Sequence, residues 1–339
     1  MIPIRNSKQR CSIEHYDDAL FFSLVCYRNN LFTSNDPEKI IEFYNGFENS
    51  DELILWMKER PKGASYIHEV DGDKDIIVVI PTADFNGKYA INCRENIFKG
   101  LHMVFVESGE NPDPYFNYAH NCNVGIKKAM EYNPKWIVLS NDDMYKVDDI
   151  SVLVNALTEL ENGKISLVFT TADTYHSVPG RFSQPNKLFY LFTKFRDRNQ
   201  KLKMMLWNKY NILFFLNPRG IKWNLFFKKG VKCYSIASFG IFSARLVKNT
   251  FPNGIFDENF ITATEDIDLS LKLTVARNDF SFIEYKIGNY INGTVGSSFA
   301  KELRDVAGDA LLHYLIFKGV DQFHIKIRES ISGKHNDAR

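Results

Sequence analysis

The chain has 339 residues, of which 45% are hydrophobic and 24% are charged, and its formal net charge is +1. This length suits one large α/β domain with added segments or two small domains, and the composition is typical of a folded protein. Because the charges balance, the chain as a whole gives no reason to expect nucleic acid as a partner.

Cysteine usage and apolar runs bear on the compartment. The five cysteines are far apart and include no Cys-x-x-Cys pair, which favours a reducing compartment and argues against a zinc or redox motif. The apolar stretch 19–27 follows acidic residues, unlike a signal peptide. No run approaches the roughly 18 apolar residues that span a bilayer. The sequence therefore predicts a cytoplasmic protein, soluble or peripheral at the inner face of a membrane.

The first predicted elements are helices, in a small N-terminal region at 1–72. Asp36 and Pro37 are typical of a helix start, and the apolar residues after them have helical spacing up to Pro61. Turn residues then lead into 76–80, a continuous β-branched run that suits a strand covered on both faces. A parallel sheet is predicted to begin there.

Strand and helix patterns then alternate as far as residue 180. Further strands are predicted at three apolar runs, and a helix at one run with helical spacing: 103–106, 136–139 and 165–171 for the strands, 124–130 for the helix. Polar residues gather where the strands end. In open α/β sheets, ligands bind beyond the carboxyl ends of the strands, so a binding site is predicted at this edge.

The polar group at 141–143 is the most informative one. Asn141, Asp142 and Asp143 place oxygen-bearing side chains at a strand end, which suits a hard divalent cation such as Mg²⁺ or Mn²⁺ that also holds phosphates. The alternative is a turn that merely caps the next element.

Six sequence pieces in chain order carry a family resemblance. They are IVVIPT at 77–82, VFVES at 104–108, NVGIKKAM at 123–130, LSNDDM at 139–144, GIFDENF at 254–260 and EDIDLSLKL at 265–273. Together they resemble glycosyltransferase family 2. The resemblance implies an α/β fold of GT-A type, with a Rossmann-like, mostly parallel central sheet flanked by helices. It also implies an inverting transfer of a sugar from a nucleotide-diphospho-sugar donor to an acceptor hydroxyl.

The resemblance further implies roles for individual residues. The donor nucleotide would contact five of them, with Glu107 against the base: Pro81, Thr82, Glu107, Asn123 and Asp142. A Mg²⁺ or Mn²⁺ ion would bind Asp143 and Asn141. Asp266 matches the catalytic base, and Glu265 beside it is a second catalytic candidate. An acidic pair at a helix start also stabilises the helix dipole without any catalysis, which is the alternative for both residues.

Two departures from the family pattern concern the metal. Asn141 stands where relatives carry Asp, so binding would rest mainly on Asp143, helped by Asp142. Many relatives also have a metal-binding His further on, whereas the comparable stretch 290–297 offers Asn292 and no histidine. The ion is then expected to bind modestly, or to be held largely by the diphosphate of the donor.

Two other functions remain as alternatives. A sugar nucleotidyltransferase shares this fold, but it would carry a glycine-rich loop with Arg and Lys after the first strand, where this chain has Ala-Asp-Phe-Asn-Gly at 83–87. A non-catalytic nucleotide-sugar-binding protein is the second alternative, motivated by Asn141 and the missing histidine. Slow single-turnover hydrolysis of a nucleotide sugar would separate such a protein from an enzyme.

The segment 181–232, called here the basic aromatic insert, has its own character. It contains thirteen Lys or Arg, one acid (Asp197) and twelve aromatic residues. It is predicted to meet a glycan or lipid-linked acceptor, or an anionic membrane surface. The alternative is that the aromatics pack inside and the lysines form a solvated face. Nucleic acid is not the predicted partner, because the insert lies between the donor-side and acceptor-side motifs.

Five segments are therefore predicted. The helical region 1–72 precedes a nucleotide-sugar-binding half at 73–180, the basic aromatic insert, an acceptor-binding half at 233–300 and a C-terminal amphipathic helix and tail at 301–339. The apolar stripe of that last helix could pack on a second subunit, giving a homodimer, as readily as on its own domain.

Overall fold

The computed structural model describes most of the chain outside the basic aromatic insert. The described residues are 16–47, 50–109, 113–160, 165–170, 175–178, 231–234, 238–261, 264–266, 268–269, 272, 280–290 and 298–316. All but the last two residues of the basic aromatic insert lie outside these ranges, and so does Asn292. The acceptor and membrane contacts predicted for the insert therefore stay predictions.

Helices and strands alternate along the described chain. The helices are α1 (Tyr16–Phe32), α2 (Pro37–Asn45), α3 (Ser50–Glu59), α4 (Lys88–Asn92), which continues into a π-helical turn (Cys93–Ile97), α5 (Tyr118–Met130), α6 (Ile150–Glu159), α7 (Ala244–Thr250) and α8 (Phe299–Ile316). The strands are β1 (Ser65–Val70), β2 (Asp73–Thr82), β3 (Leu101–Ser108), β4 (Trp136–Ser140), β5 (Met144–Lys146), β6 (Leu167–Thr170), β7 (Tyr175–Val178), β8 (Val231–Tyr234), β9 (Phe239–Ser243), β10 (Phe280–Ile283) and β11 (Ile287–Asn289).

A seven-stranded sheet of order β1-β3-β2-β4-β9-β6-β10 forms the centre of the described part. Strands β3, β2 and β4 run parallel, and β6 and β10 share their direction. Strands β1 and β9 run antiparallel to their neighbours. The prediction of a mixed α/β fold with a mostly parallel central sheet is confirmed, and so are the predicted strands at 76–80, 103–106 and 136–139. The run 165–171 contains strand β6 at Leu167–Thr170.

Strand β2 shows why the sheet forms here. Its side chains alternate between two apolar cores: Ile76, Val78 and Ile80 pack with residues of α4 and α6, while Ile77 and Val79 pack with residues of α5 and α7. All five are at most 3% exposed. A strand with both faces buried has no polar face to place, which is why the run is continuously apolar instead of alternating.

The N-terminal helices form an aromatic cluster of their own. Phe43 lies 5.1 Å from Phe32 and 4.7 Å from Trp56 between ring centroids, with the rings tilted against one another. The apolar stripe of α8 packs on α2 and α3, and the Tyr44 hydroxyl donates to the Leu303 carbonyl at 2.7 Å. The stripe residues Leu303, Val306, Ala307, Ala310 and Leu311 are buried within their own chain, and a homodimer stays a prediction.

The sheet begins before the boundary predicted at residue 72. Strand β1 lies inside the predicted helical region 1–72, yet it pairs with β3 along its whole length, from Ser65 opposite Ser108 to Val70 opposite Met103. Separately, no helix in the described ranges combines the length and apolar content needed to cross a membrane.

Candidate functional site

The predicted donor residues meet at one edge of the sheet. Strands β2, β3 and β4 end there together, because Thr82 stands opposite Glu107 and Val79 stands opposite Leu139 in the parallel ladders. The polar residues 141–143 follow β4 directly. Thr82, Glu107 and the Asn141-Asp142-Asp143 group therefore share the edge at which open α/β sheets bind their ligands.

A buried hydrogen bond joins two of these groups. The Thr82 hydroxyl donates to Oδ2 of Asp142 at 2.7 Å, and the residues are 4% and 6% exposed. The Cys93 thiol, from the π-helical turn, donates to the Asp142 carbonyl at 3.2 Å. Burial, assisted by the charges of Asp142 and Asp143, raises the pKa of that thiol, so it stays protonated and keeps donating. The turn after β4 is thus fixed from two sides.

Asn141 and Asp143 are anchored by different elements. The Tyr118 hydroxyl, at the start of α5, donates to Oδ1 of Asn141 at 2.9 Å. The backbone N–H of Tyr290 donates to the Asp143 carbonyl at 2.8 Å, which extends the small antiparallel ladder of β5 and β11 up to the polar turn. The Asp143 side chain is 6% exposed. Neither anchor has a local sequence signal, because Tyr118 and Tyr290 are far from this turn along the chain.

Tyr118 also links this turn to the acidic pair. Loss of water around its hydroxyl raises its pKa well above 10, and nearby Cys122, Glu265 and Asp266 raise it further. An electrostatic effect of this kind requires the carboxyl groups to lie close to the phenol. The structure therefore brings together the Asn141 turn and the Glu265-Asp266 pair, which are more than a hundred residues apart in sequence.

Glu265 is the buried member of that pair, whereas Asp266 is partly exposed. Its Oε2 has no hydrogen-bond partner among the described residues. Burial, together with the charge of Asp266, raises the pKa of Glu265 from 4.5 to about 8. The preceding residue, Thr264, has a left-handed backbone with φ of 69°, a strained conformation for a β-branched residue. With its pKa at about 8, the Glu265 carboxyl is protonated near neutral pH.

Replacing Glu265 by Gln tests this assignment through stability. Between pH 4.5 and about 8 the native state keeps a proton that the unfolded chain releases, so the free energy of unfolding falls as pH rises through this window. The surrounding charges are Asp266 and Asp305, which favour the protonated acid, and Lys301, which opposes it. Glu265→Gln keeps the size without the ionisation. It should be more stable than the wild type at about pH 8.5, by on the order of 3 kcal/mol, and nearly equal at about pH 5.

Urea unfolding at the two pH values measures the effect. The control is Glu131→Gln, which changes an exposed glutamate at the end of α5. An unchanged fall in stability between the two pH values in Glu265→Gln would show that Glu265 does not carry this proton.

Glu107 lies in a cluster of side chains that the sequence did not predict. Its Oε2 is 2.7 Å from Nε2 of His68, on the neighbouring strand β1, and its Oε1 accepts the Phe85 N–H at 3.1 Å. The His68 ring is stacked on Phe85 with 4.4 Å between centroids and 6° between planes. The β1 sequence SYIHEV does not alternate between apolar and polar residues, so it carried no local signal for His68. Contact of Glu107 with a nucleotide base stays a prediction.

The Asn123 side chain forms hydrogen bonds with the loop that precedes the acidic pair. Its amide nitrogen donates to the Phe256 carbonyl at 2.9 Å and to Oε1 of Glu258 at 3.1 Å, while its Oδ1 accepts the Phe256 N–H at 3.1 Å. Gly254 has φ of 117°, and a Cβ there would lie 2.6 Å from the Asn123 amide. Asn123 therefore anchors this loop, and its predicted nucleotide contact stays a prediction.

Two more residues of α5 hold the same loop. The Asn117 amide donates to the carbonyls of Glu258 and Phe260 at 2.8 and 3.1 Å, and Nδ1 of His120 lies 2.8 Å from Oε2 of Glu258. Residues 117, 120 and 123 are spaced three apart, so one face of the helix carries all three contacts. The helix that supplies Tyr118 to the polar turn thus also positions the chain leading to Glu265.

The donor set for a metal ion is small. No group of three or more His, Cys, Asp and Glu side chains is arranged to hold a metal in the ranges that the structure describes. Asn141, Asp142 and Asp143 are consecutive in the chain, and the Asn141 and Asp142 side chains each accept a hydrogen bond from another element. A Mg²⁺ or Mn²⁺ ion at this turn would therefore have to take most of its ligands from phosphate and water, as Mg²⁺ commonly does.

The chain was also compared with protein-family models and with curated proteins. No family model matches it, and no curated protein matches it. The candidate function therefore depends on the side chains at this edge of the sheet and on the resemblance of their motifs.

Proposed function

We propose that this chain is an inverting glycosyltransferase with a GT-A fold, similar to family 2, which transfers a sugar from a nucleotide-diphospho-sugar to an acceptor hydroxyl. One observation carries the proposal. Tyr118 donates a hydrogen bond to Asn141, and the pKa of the same hydroxyl is raised by Glu265 and Asp266. These two observations support the proposal that the donor-side turn and the acidic pair belong to one site, as a transfer between two substrates requires.

The donor nucleotide is proposed to lie along the carboxyl edge of β2, β3 and β4. Its base would lie between Glu107 and the residues Pro81 and Thr82 at the end of β2, and its diphosphate near Asp143. The hydrogen bond from Thr82 to Asp142 supports this assignment, because it holds the ends of β2 and β4 in a fixed geometry before any ligand binds.

A Mg²⁺ or Mn²⁺ ion would be held by Asp143 and Asp142, with Asn141 as a further oxygen ligand. When bound, it would neutralise charge on the diphosphate leaving group. The remaining ligands would come from the donor diphosphate and from water.

Asp266 is proposed to be the catalytic base. The acceptor oxygen forms a bond to the anomeric carbon while the bond from that carbon to the diphosphate oxygen breaks, and the acceptor proton passes to Asp266. A base is needed because a sugar hydroxyl is a weak nucleophile. Partial exposure suits this role, since Asp266 must meet a substrate that arrives from solvent. Buried Glu265, protonated near neutral pH, would add no negative charge beside Asp266.

A thermal-shift screen tests the proposal. Nucleoside diphosphates and nucleotide sugars should raise the melting temperature, and Mn²⁺ should increase the rise. A ligand that binds only the native state stabilises it by about 2.7 kcal/mol at about 100 times its Kd. The matched control is the nucleoside monophosphate, which lacks the second phosphate. If no nucleoside diphosphate or nucleotide sugar stabilises the protein, with or without Mn²⁺, the proposal is wrong. Binding without slow hydrolysis of the sugar would instead favour a non-catalytic binding protein.

A further inference from the structure

A group of tyrosines borders the candidate site on the side of Asp143. Tyr145 and Tyr290 lie 5.0 Å apart between ring centroids, and Tyr89 lies 6.0 Å from Tyr290. Three different elements supply them: β5, the end of β11 and the first turn of α4. We call Tyr89, Tyr145 and Tyr290 the tyrosine platform.

The platform is open to solvent and held in place. Tyr145 is 40% exposed and Tyr290 is 49% exposed. Tyr145 stands opposite Gly288 in the β5–β11 ladder, and its ring lies so close that a Cβ on Gly288 would be 2.0 Å from the ring. The glycine therefore lets the ring lie across the strand, and the ring is fixed before any ligand arrives.

The platform is continuous with the proposed catalytic edge. The backbone N–H of Tyr290 donates to the carbonyl of Asp143 at 2.8 Å, so the residue that carries this ring contacts the polar turn directly. The proposed base-binding residue Glu107 lies at the end of β3, on the far side of β2 from the polar turn. Along the edge, the order is therefore Glu107, Thr82 and the polar turn, and Tyr290 adjoins the polar turn.

We infer that the tyrosine platform binds the pyranose ring of the acceptor, an inference that rests on the proposed function. The face of an aromatic ring is negative, so it attracts the slightly positive C–H groups that line one face of a pyranose. The phenol hydroxyls at the ring edges can bond the sugar hydroxyls. Half-exposed rings suit a substrate that enters from solvent and extends beyond the site, as a glycan acceptor does. Large aromatic area exposed beside a binding site commonly marks such a contact.

Saturation-transfer NMR with methyl β-glycosides of glucose, galactose and N-acetylglucosamine tests this inference. At least one glycoside should receive saturation mainly at the C–H protons of one ring face, and those protons should shift upfield under the aromatic ring current. Tyr290→Ala should weaken binding about tenfold, whereas Tyr290→Phe keeps the ring and should bind nearly as well as the wild type. Tyr27→Ala, which removes an exposed tyrosine on α1, is the matched control and should bind normally.

The outcomes separate this inference from the proposed function. Thermal unfolding of each variant first shows that it is folded, and Tyr89→Ala replaces Tyr290→Ala if the latter is not. If nucleoside diphosphates stabilise the protein but no glycoside shows face-selective saturation, the inference that the tyrosine platform binds the acceptor is wrong. The proposed transferase function is then unaffected. If Tyr290→Ala also loses nucleotide binding, the tyrosines belong to the donor site and the acceptor assignment is wrong. If glycosides bind while nucleotides do not, sugar binding by the tyrosine platform is supported and the proposed transferase function is wrong.

Discussion

Asp266→Asn should bind the donor nearly normally and lose turnover by about two orders of magnitude or more. The substitution keeps the size of the side chain and removes its ability to accept the acceptor proton. The site geometry should survive, because Asn117, His120 and Asn123 hold the preceding loop without Asp266. Steady-state turnover and donor affinity, measured together, separate a catalytic defect from a binding defect.

The control for this variant lies in the same loop. Asp257→Asn changes an aspartate whose carboxylate accepts the backbone and side-chain N–H groups of Asn259, so its role is to shape the loop. It should keep most of the turnover. Near-normal turnover in Asp266→Asn, or a product that retains the anomeric configuration, would rule out Asp266 as the base of an inverting transfer.

Asp143→Ala should lose the metal-dependent part of nucleotide binding. In the presence of Mn²⁺ its Kd for a nucleoside diphosphate should rise about tenfold or more, while the weaker metal-free affinity should change little, because phosphate contacts from other residues remain. Isothermal titration with and without Mn²⁺ measures both affinities. Removing a buried carboxylate also changes stability, so the melting temperature of the variant has to be recorded alongside.

An exposed aspartate at the opposite edge of the sheet gives the control for this second variant. Asp75→Ala breaks an ion pair with Lys135, in which the charged atoms lie 3.0 Å apart, and it should leave both affinities unchanged. If Asp143→Ala keeps the nucleotide affinity and the metal dependence of the wild type, Asp143 is not a metal ligand.

The parts of the fold that the sequence predicted correctly are those with a local physical signal. The run 76–80 is apolar on both faces because both faces of β2 are buried. The stripe of α8 was recognised for the same kind of reason, since helical spacing places its apolar residues on one side. In each case the pattern follows from burial within a single element, so a single stretch of sequence contains the information.

The direction of β9 and the role of Asn123 had no such signal. Phe239–Ser243 is buried throughout, and a short apolar run reads the same whether its neighbours are parallel or antiparallel. Asn123 resembled a nucleotide contact, yet its partners Phe256 and Glu258 are more than 130 residues away in sequence. The link from Tyr118 to Asn141 likewise depends on the packed sheet. Long-range partners of polar side chains follow from topology, which local patterns do not encode.

The short ladder between β7 and β8 has a consequence for protein engineering. Val178 stands directly opposite Val231, so the 52 residues 179–230 begin and end at paired positions of one antiparallel ladder. A two-residue turn could replace this whole stretch without lengthening either strand. The stretch carries twelve basic residues and one acid, so its removal would change the net charge of the chain from +1 to −10. At this net charge the protein as a whole would attract anions less strongly than the full chain does.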